Sequence, residues 1–350
     1  MTRTVGIIGA GIGGLAMAIT MHRAGWKVRV YERSVEPELI GTALGIWPEA
    51  LRALDTIDLG DVVRTQGAEQ KAGVFLRPDG SRIGTIDVPK VTRRTGDTVR
   101  LISRAGLLDL LTRAMPADIV RYGVTADVTD LRKRYDVVVA ADGINSRTRT
   151  TLFGAEAGLR YVGMTAWRGT VEGSTNTVSE TWGAGRKFGI TPRESGRTNW
   201  YATAIAPAGG RRPGAELDEI RARFGGWHDG VRQVLAGIRE EEVLRHDVYD
   251  LARPLPSFVA GTVALIGDAA HAMAPDIGRG ACEALIDAAV LGECLVEAPS
   301  VADGLATYDR RRRPSTQRLT RAARVLNRMA RVRRLVPARD LAIRTALLVS

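Results

Sequence analysis

Three short runs of apolar residues mark the places where this chain predicts buried β-strands. The first, from Thr4 to Ile8, leads into the segment GAGIGG, a helix from Leu15 to Ala24 and a second strand from Lys27 to Tyr31. Similar runs occupy residues 135–141 and 261–267, and each delivers a Gly or Asp at its carboxyl end. Strands that are apolar on both faces are typical of parallel sheets. We therefore predict one parallel sheet assembled from distant parts of the chain.

A different pattern follows from Tyr161 to Ala206, where polar and apolar residues alternate between the turn clusters GAGR and RESGR. Alternation with period two is typical of half-buried strands, so this stretch predicts an antiparallel sheet. Residues 70–96 contain further strand-like sequence around RPDGSR, which we expect in the same sheet. Two helices are predicted after it, from Ala215 to Phe224 and from Gly230 to Arg239. The fold class is therefore α/β with a second, antiparallel unit.

Composition agrees with a folded chain of about two domains, since 45% of the 350 residues are hydrophobic and 25% are charged. No apolar run reaches the roughly 18 residues that a membrane-spanning helix needs, so we expect no transmembrane segment. Cys282 and Cys294 are predicted to lie on one helix about 18 Å apart, too far for a disulfide. Free thiols favour a cytoplasmic location.

The net charge of +11 lies at the carboxyl-terminal end, where Asp309 to Ser350 contain 13 Arg and 2 Asp. Apolar residues recur between these Arg residues at helical intervals. The pattern favours a basic-faced helix packed on the body of the protein. Its alternative is a segment that binds nucleic acid or an anionic membrane surface. The apolar residues in question are Leu319, Ala322, Ala323, Val325, Leu326 and Met329.

The glycines of GAGIGG have the spacing of a dinucleotide-binding turn. Gly9 would permit a tight turn, Gly11 would let a pyrophosphate approach the backbone, and Gly14 would allow the helix to pack on the strand. Glu32 ends the second strand, where it is placed to accept hydrogen bonds from an adenosine ribose. An acid there disfavours a 2′-phosphate, so the nucleotide is FAD or NAD rather than NADP. The alternative for Glu32 is a solvated carboxylate at a strand end.

A second candidate site begins at GDAAHAMAP, residues 267–275, and continues through Gly278-Arg279-Gly280. Asp268 would hydrogen-bond a polyol chain, and the glycines would open a helix whose amides stabilise negative charge. The alternative for Asp268 is a helix N-cap. His271 is expected to be structural, because no Ser elbow and no metal-spaced His or Cys cluster accompanies it.

Together these motifs resemble the fingerprints of the FAD-dependent aromatic hydroxylases, the single-component flavoprotein monooxygenases that include para-hydroxybenzoate and salicylate hydroxylases. The resemblance rests on GAGIGG with Glu32, on Asp142-Gly143 with Ser146 and Arg149, and on the segment around Asp268. It covers residues 3–313. It implies a Rossmann-type FAD-binding domain with the parallel sheet (1–70, 97–155 and 258–300), a substrate domain with the antiparallel sheet (71–96 and 156–257) and a basic C-terminal helical segment (301–350).

The resemblance also implies which residues contact FAD. The pyrophosphate is expected at the three glycines of the turn, the ribose at Glu32, and the ribitol and pyrophosphate at Asp268. Asp142 and Gly143 would serve the pyrophosphate and the approach of NAD(P)H, and Arg104 would add a flavin contact. The isoalloxazine is expected beside the Gly41–Ile46 loop and beside the later glycine pair. The expected cofactor-binding residues are Gly9, Gly11, Gly14, Glu32, Gly45, Arg104, Asp142, Gly143, Asp268, Pro275, Gly278, Arg279 and Gly280.

Three positions depart from the family pattern. Arg279 stands where Gln is usual, Ile286 stands where an acid is frequent before Asp287, and Glu49 stands where Asn follows the Trp-Pro pair. Arg279 raises the question of whether a long cation pairs with the reduced flavin or binds an anionic substrate.

The implied activity is that of an FAD-dependent monooxygenase that uses NAD(P)H and O₂ through a flavin C4a-hydroperoxide. NADH or NADPH would bind transiently, and the substrate would be a hydrophobic, aromatic or polycyclic small molecule that is hydroxylated or epoxidised. The flavin itself is the only catalytic group that the sequence identifies, and no metal is expected. Candidates for lining the substrate pocket are Trp167, Arg168, Trp182, Trp200 and Tyr201.

Two alternatives remain at this point. A flavin oxidoreductase of the same fold without hydroperoxide chemistry, such as an isoprenoid reductase, would share these motifs. A non-enzymatic interaction module would act through the Arg-rich C-terminal segment, although no nucleic-acid partner is expected. The sequence leaves the substrate, the choice of NADH or NADPH, a catalytic base and the choice between monomer and homodimer open.

Overall fold

The computed structural model describes residues 2–37, 42–116 and 118–349. Its strands are β1 (Thr4–Ile8), β2 (Lys27–Tyr31), β3 (Ala43–Ile46), β4 (Ala68–Glu69), β5 (Gly73–Leu76), β6 (Arg82–Ile86), β7 (Arg100–Ser103), β8 (Val120–Arg121), β9 (Val137–Ala140), β10 (Leu159–Glu172), β11 (Val178–Gly183), β12 (Arg186–Arg193), β13 (Arg197–Ile205), β14 (Leu244–Leu251), β15 (Val259–Ala260) and β16 (Val263–Leu265). Its helices are α1 (Ile12–Arg23), α2 (Pro48–Asp55), α3 (Gly60–Gln66), α4 (Val88–Thr95), α5 (Arg104–Arg113), α6 (Val128–Leu131), α7 (Arg147–Phe153), α8 (Glu216–Phe224), α9 (Asp229–Gly237), α10 (Asp268–His271), α11 (Gly280–Glu297), α12 (Val301–Ala330) and α13 (Val336–Val349).

The three predicted buried strands lie side by side in one sheet of order β15-β16-β9-β1-β2-β8. β1 is parallel to both β2 and β9, and β16 is parallel to β9. Every residue of β9 is buried, as expected for a strand covered by helices on both faces. The parallel sheet is therefore confirmed. Because parallel strands end at the same edge, Gly9, Asp142 and Asp268 follow neighbouring strands there.

The alternating region forms a second sheet of order β14-β10-β13-β12-β11-β5-β6. β5 and β6 belong to it, as expected for residues 70–96, although β5 pairs with β11 in parallel. Helices α8 and α9 cover one face of this sheet with a core that includes stacked Phe188 and Trp200 rings, whose centroids are 5.9 Å apart. The opposite face is left for the cavity described below. The α/β fold class with its antiparallel second unit is confirmed.

A small sheet of order β3-β7-β4 was not predicted. Its strands are two to four residues long, too short for a recognisable period. It lies beside the cavity and brings Gly45 to the cavity lining. The predicted division of the chain into two domains stays a prediction, although the parallel and antiparallel sheets draw their strands from the ranges assigned to each.

The carboxyl-terminal segment forms α12 and α13. Buried residues of α12 recur every three or four positions, from Leu305 and Tyr308 to Asn327 and Ala330. The predicted basic-faced helix packed on the body is therefore confirmed. Its apolar face differs in detail from the expectation, since Val325 is 52% exposed.

Cys282 and Cys294 lie on α11, as predicted, and both are buried free thiols. Within the described ranges, no helix combines the length and the apolar character needed to cross a bilayer.

Candidate active site

A cavity of about 1160 Å³ lies between the carboxyl edge of the parallel sheet and the uncovered face of the antiparallel sheet. One side is formed by Gly11–Gly13, Gly143–Asn145 and Ile266–Asp268, which follow three neighbouring parallel strands. The opposite side is formed by side chains of the antiparallel sheet, among them Arg168 and Tyr201. The cavity therefore joins the two sheets and brings the three sequence motifs to one place.

The glycine turn after β1 requires glycine for different reasons at its three positions. Gly9 has a φ of +101°, and a Cβ there would lie 2.4 Å from the Ala141 carbonyl oxygen. A Cβ on Gly14 would lie 2.0 Å from the Gly9 carbonyl oxygen, so this glycine permits close packing of α1 on the turn. A Cβ on Gly11 would meet nothing within 4 Å, because Gly11 faces the open cavity. A ligand can therefore approach the backbone at Gly11.

Glu32 follows β2 and is fixed against the glycine turn. Its carboxylate accepts hydrogen bonds from the Ala10 amide at 2.8 Å and from the Ser34 amide at 2.9 Å. These two bonds orient the carboxylate and leave lone pairs for hydroxyl donors. Glu32 lies beside the turn rather than on the wall of the cavity.

Asp268 is the first residue of α10 and lines the cavity. No hydrogen bond from the described residues reaches its carboxylate, and burial raises its pKa. The side chain is half-buried, so its carboxylate stays accessible from the cavity and can accept hydrogen bonds from the hydroxyl groups of a ligand. Gly278 has a φ of +62°, and a Cβ on Gly280 would lie 3.9 Å from the Asp268 carboxylate, so the later glycine pair leaves space beside it.

The Asp142 carboxylate stabilises the loop in which it lies. Its carboxylate accepts hydrogen bonds from the Ser146 hydroxyl at 2.6 Å and the Thr148 amide at 3.0 Å, and Ser146 in turn caps α7. Gly143 has a φ of +73° and lines the cavity directly. Asp142 therefore positions the loop, and Gly143 is the residue of this pair that faces the open space.

Arg149 joins the Asp142-Gly143 motif to the segment around Asp268, a role that the sequence did not reveal. It is almost completely buried, and its guanidinium donates hydrogen bonds to the carbonyl oxygens of Ile144, Ala157, Asp268 and Ala269. Burial lowers its pKa, against the attraction of Asp142 and Asp268. The family resemblance includes Arg149 but assigns it no contact, because a long polar side chain on a helix is usually solvated.

Gly45 and Arg104 also line the cavity. Gly45 is in β3, and Arg104 is the first residue of α5, where its amide donates a hydrogen bond to the Thr42 carbonyl. Gly41, the first residue of the predicted flavin loop, lies outside the described residues. Pro275, Gly278, Arg279 and Gly280 all line the cavity near Asp268.

Two of the three departures from the family pattern contact each other. The Arg279 guanidinium lies 3.3 Å from the Glu49 carboxylate and 3.0 Å from the Glu283 carboxylate, and it stacks on Trp47. Burial opposes the charge of Arg279, but these carboxylates outweigh burial and raise its pKa. Arg279 is therefore committed to protein partners. Glu49 in place of Asn supplies one of them.

Because successive side chains of a strand point to opposite faces of the sheet, the five candidates for lining the pocket do not all face the cavity. Arg168 on β10 and Tyr201 on β13 are register partners, and both line the cavity. Trp167 and Trp200 are neighbours of these residues along the same strands, so they point to the opposite face. There they are fully buried against α8 and α9.

Trp182 lies on the cavity face of the sheet but is covered by α13, where the Arg339 guanidinium stacks on its ring. The expectation that Trp167, Trp182 and Trp200 line the pocket is therefore corrected.

Arg168 is a cation without a counter-ion in this wall. Among the described residues, no side-chain hydrogen bond or ion pair is formed by its guanidinium, and burial lowers its pKa. Partly buried charges are normally paired, so the site favours a ligand with a negative or strongly accepting oxygen.

The cavity also contains a chain of polar contacts that the sequence did not predict. The Tyr201 hydroxyl donates a hydrogen bond to Glu180, and a Cβ on intervening Gly189 would lie 2.0 Å from the Tyr201 ring, so only glycine fits beneath it. Lys187 lies 3.5 Å from Glu180 and 2.9 Å from Asp276. Burial works against the charge of Lys187, but the two carboxylates raise its pKa.

Asp276 connects this chain to the segment of Pro275 and Gly278. Its second carboxylate oxygen accepts a hydrogen bond from the Asn327 amide at 3.1 Å. Burial, together with the Glu180 carboxylate, raises the pKa of Tyr201 well above its ordinary value, so the phenol stays protonated. These contacts hold the cavity face of the antiparallel sheet in a fixed position relative to the segment around Asp268. A lysine within an otherwise buried strand was the one sequence signal of this network.

A buried network of ion pairs supports the segment around Asp268. Asp287 accepts hydrogen bonds from His271 at 2.6 Å and from Arg312 at 2.6 Å, and Arg312 also contacts Glu283 at 2.6 Å. Burial would raise the pKa of Asp287, but His271 and Arg312 outweigh burial and lower it. His271 therefore has a structural partner here, in agreement with the expected structural role.

These features define a class of protein, namely an α/β nucleotide-binding protein with a ligand cavity between its parallel and antiparallel sheets. A family model described as an FAD binding domain matches residues 111–323. The chain is 33% identical to an aurachin C monooxygenase/isomerase of Stigmatella aurantiaca, over 87% of this chain and 84% of that protein. It is 30% identical to an FAD-dependent urate hydroxylase of Klebsiella pneumoniae, over 87% of this chain and 85% of that protein.

The structure is similar to a crystal structure of Klebsiella pneumoniae HpxO complexed with FAD and uric acid. The TM-score is 0.89 at 26% identity, with 99% of this chain and 93% of that chain covered. The chain therefore belongs to the FAD-dependent aromatic hydroxylase family. It is an FAD-dependent monooxygenase, and NAD(P)H is the co-substrate typical of the family. These relatives favour the oxygenase over the reductase and the interaction module.

Proposed function

We propose that the enzyme inserts one oxygen atom from O₂ into an aromatic or polycyclic small molecule inside the described cavity. One observation carries this proposal. The open face of Gly11, the unpaired Asp268 carboxylate and the wall of Arg168 and Tyr201 border a single space of about 1160 Å³. Ligand pockets commonly measure about 300 to 1,000 Å³, so this space has room for a flavin ring and a substrate together.

The residues present fit FAD. We place the pyrophosphate against Gly11, with Gly9 and Gly14 shaping the turn, and the ribose at Glu32. Asp268 would accept hydrogen bonds from the ribitol or pyrophosphate side of the cofactor, because its carboxylate has no donor among the described residues. The flavin ring would lie beside the segments that line the middle of the cavity, namely Gly45, Arg104, Gly143, Pro275, Gly278, Arg279 and Gly280.

When bound, FAD supplies the electron transfer from NAD(P)H and the activation of O₂, which no side chain can perform. The protein positions the substrate and excludes water. The hydrogen bond from Tyr201 to Glu180 and the contacts of Lys187 with Glu180 and Asp276 fix the polar wall. A fixed wall needs no reorganisation when charge develops on the substrate during reaction.

We further propose that the substrate carries an ionisable hydroxyl group. Arg168 offers an unpaired guanidinium to the resulting oxyanion. His246 lines the same cavity, and its pKa is lowered first by burial and then by Arg168, Arg211 and Arg245. A neutral imidazole at physiological pH can accept the hydroxyl proton. These two residues together supply proton removal and stabilisation of the anion, which make an aromatic ring a better acceptor of electrophilic oxygen.

The proposed function is tested by oxygen labelling. The FAD-loaded enzyme is mixed with NADH or NADPH under ¹⁸O₂ and with a panel of phenols, hydroxyquinolines and purines, and the products are analysed by mass spectrometry. We expect at least one compound to accelerate NAD(P)H oxidation and to gain one ¹⁸O atom. Acceleration that yields only hydrogen peroxide with every compound, or no acceleration at all, would contradict the proposal.

Arg168→Gln is expected to weaken the use of ionisable substrates. A hydrogen bond to a charged group contributes about 1.5–3 kcal/mol, so kcat/KM should fall roughly ten- to hundredfold, mainly through KM. The measurement is steady-state NAD(P)H oxidation with the best phenol of the panel. Arg197→Gln is the control, since Arg197 lies on β13 outside the cavity and pairs with Glu172. Equal values for the two variants would count against the role of Arg168.

A further inference from the structure

A second and smaller pocket lies on the far side of Asn327 from the substrate cavity. It measures about 90 Å³, opens to solvent, and is bordered by the start of β10, the end of β14 and the last turns of α12. Four arginines line it, namely Arg160, Arg324, Arg328 and Arg331, together with the single acid Asp250. Its composition is unlike that of the substrate cavity, where apolar lining predominates.

The charges of this pocket are not balanced by the protein. Asp250 is buried and already pairs with two of the arginines, Arg160 at 2.9 Å and Arg324 at 2.7 Å. Arg328 and Arg331 are exposed side chains at the rim of the pocket, and neither forms a side-chain hydrogen bond or ion pair with any residue in the described ranges, although the Arg331 guanidinium lies beside Gly163. Four guanidiniums against one carboxylate leave an excess of three positive charges around a concave space.

The size and the donors of the pocket suit a tetrahedral oxyanion. A guanidinium presents parallel N–H donors that match two oxygens of a phosphate, and several such groups around one concavity bind it at multiple points. A volume of about 90 Å³ has room for such a group. Arginines near the end of a helix also interact with its dipole, but that interaction does not require a pocket.

We propose that this pocket is a binding site for a phosphate group, separate from the FAD and substrate sites. The phosphate would be an inorganic ion or the phosphate group of a nicotinamide dinucleotide. Asn327 connects the site to the substrate cavity, because it lines both spaces and donates a hydrogen bond to Asp276.

The test uses the FAD-loaded enzyme and inorganic phosphate. Binding is measured by calorimetry and by thermal unfolding, with sodium chloride at the same ionic strength as the reference. The double variant Arg328→Gln/Arg331→Gln removes the two unpaired cations. The control Arg318→Gln/Arg321→Gln removes two arginines of the same helix that are exposed like Arg328 and Arg331 but do not line the pocket. FAD content and circular dichroism establish that both variants are folded.

We expect phosphate to stabilise the wild type and the control equally, and to bind the Arg328/Arg331 variant at least tenfold more weakly. A second series measures displacement of phosphate by NADP⁺ and by NAD⁺. Displacement by NADP⁺ alone identifies the dinucleotide 2′-phosphate as the source, and absence of displacement by either identifies the free ion. The proposal is overturned if phosphate stabilises the wild type no more than chloride does. Equal losses in the two double variants, which would indicate general charge screening, also overturn it.

Discussion

Asp268→Asn is expected to bind FAD ten- to hundredfold more weakly than the wild type while unfolding no more easily as the apoprotein. The carboxylate has no donor among the described residues, and burial raises its pKa, so its charge destabilises the empty site above the ordinary pKa of 3.8. Replacing the charge removes that cost, whereas hydrogen bonds from the cofactor to a charged group are worth about 1.5–3 kcal/mol. The measurement is titration of apoprotein with FAD, followed by urea unfolding without FAD.

Asp127→Asn is the matched control for this variant. Asp127 is an acid at the start of a helix, and its carboxylate accepts a hydrogen bond from the Thr129 amide, outside the cavity. Because Asn caps a helix about as well as Asp, we expect that control to keep both its stability and its FAD affinity. An Asp268 variant that loses stability but retains FAD would show that Asp268 is a structural cap, which is the alternative left open by the sequence.

Asp287→Asn should be the most destabilising single change considered for this protein. Asp287 is completely buried and joins His271, Arg312 and the Gly267 amide. Removing one partner from a buried ion pair leaves an uncompensated charge and costs roughly 3–5 kcal/mol. Urea unfolding of the FAD-free protein at neutral pH measures the change. Because these ion pairs support α10, we also expect weaker FAD retention.

The pH dependence of the same variant gives a second readout. The folded pKa of Asp287 is lowered, so its stabilisation is present above 3.8 and is lost as the pH falls through the lower folded value. Asp287→Asn should therefore flatten the acid limb of the stability profile. The control is Asp130→Asn, whose partner Lys133 is exposed and whose loss costs about 0.5 kcal/mol. A neutral-pH loss below about 1 kcal/mol in Asp287→Asn would contradict the assigned burial cost.

Much of the fold could be predicted because its buried strands carry one unmistakable signal. The runs ending near Gly9, Asp142 and Asp268 are apolar on both faces, and each is followed by a turn residue, which is the pattern of parallel strands. The alternating stretch from 161 to 206 was equally informative. The small sheet of β3, β4 and β7 was not predictable, because strands of two to four residues are held by tertiary contacts rather than by their own pattern.

The candidate site was predictable where backbone conformation constrains the residue type, as at Gly9 and Gly14. It was much less predictable where strand register decides. Arg168 and Trp167 are adjacent in the chain, yet one faces the cavity and the other the core under α8 and α9. A shift of one residue exchanges the two faces, and the sequence does not fix that register. The pairing of Glu49 with Arg279 likewise joins positions 230 residues apart.

We propose that three distant segments hold one FAD molecule at the edge of the parallel sheet, with the flavin ring facing Arg168 and Tyr201. A crystal structure of the enzyme with FAD tests it most directly. We expect the pyrophosphate against the Gly11 backbone and a cofactor hydroxyl or phosphate oxygen within hydrogen-bonding distance of Asp268 or its neighbouring amides. A flavin bound outside this cavity, or an Asp268 carboxylate still without a donor in the complex, would contradict it.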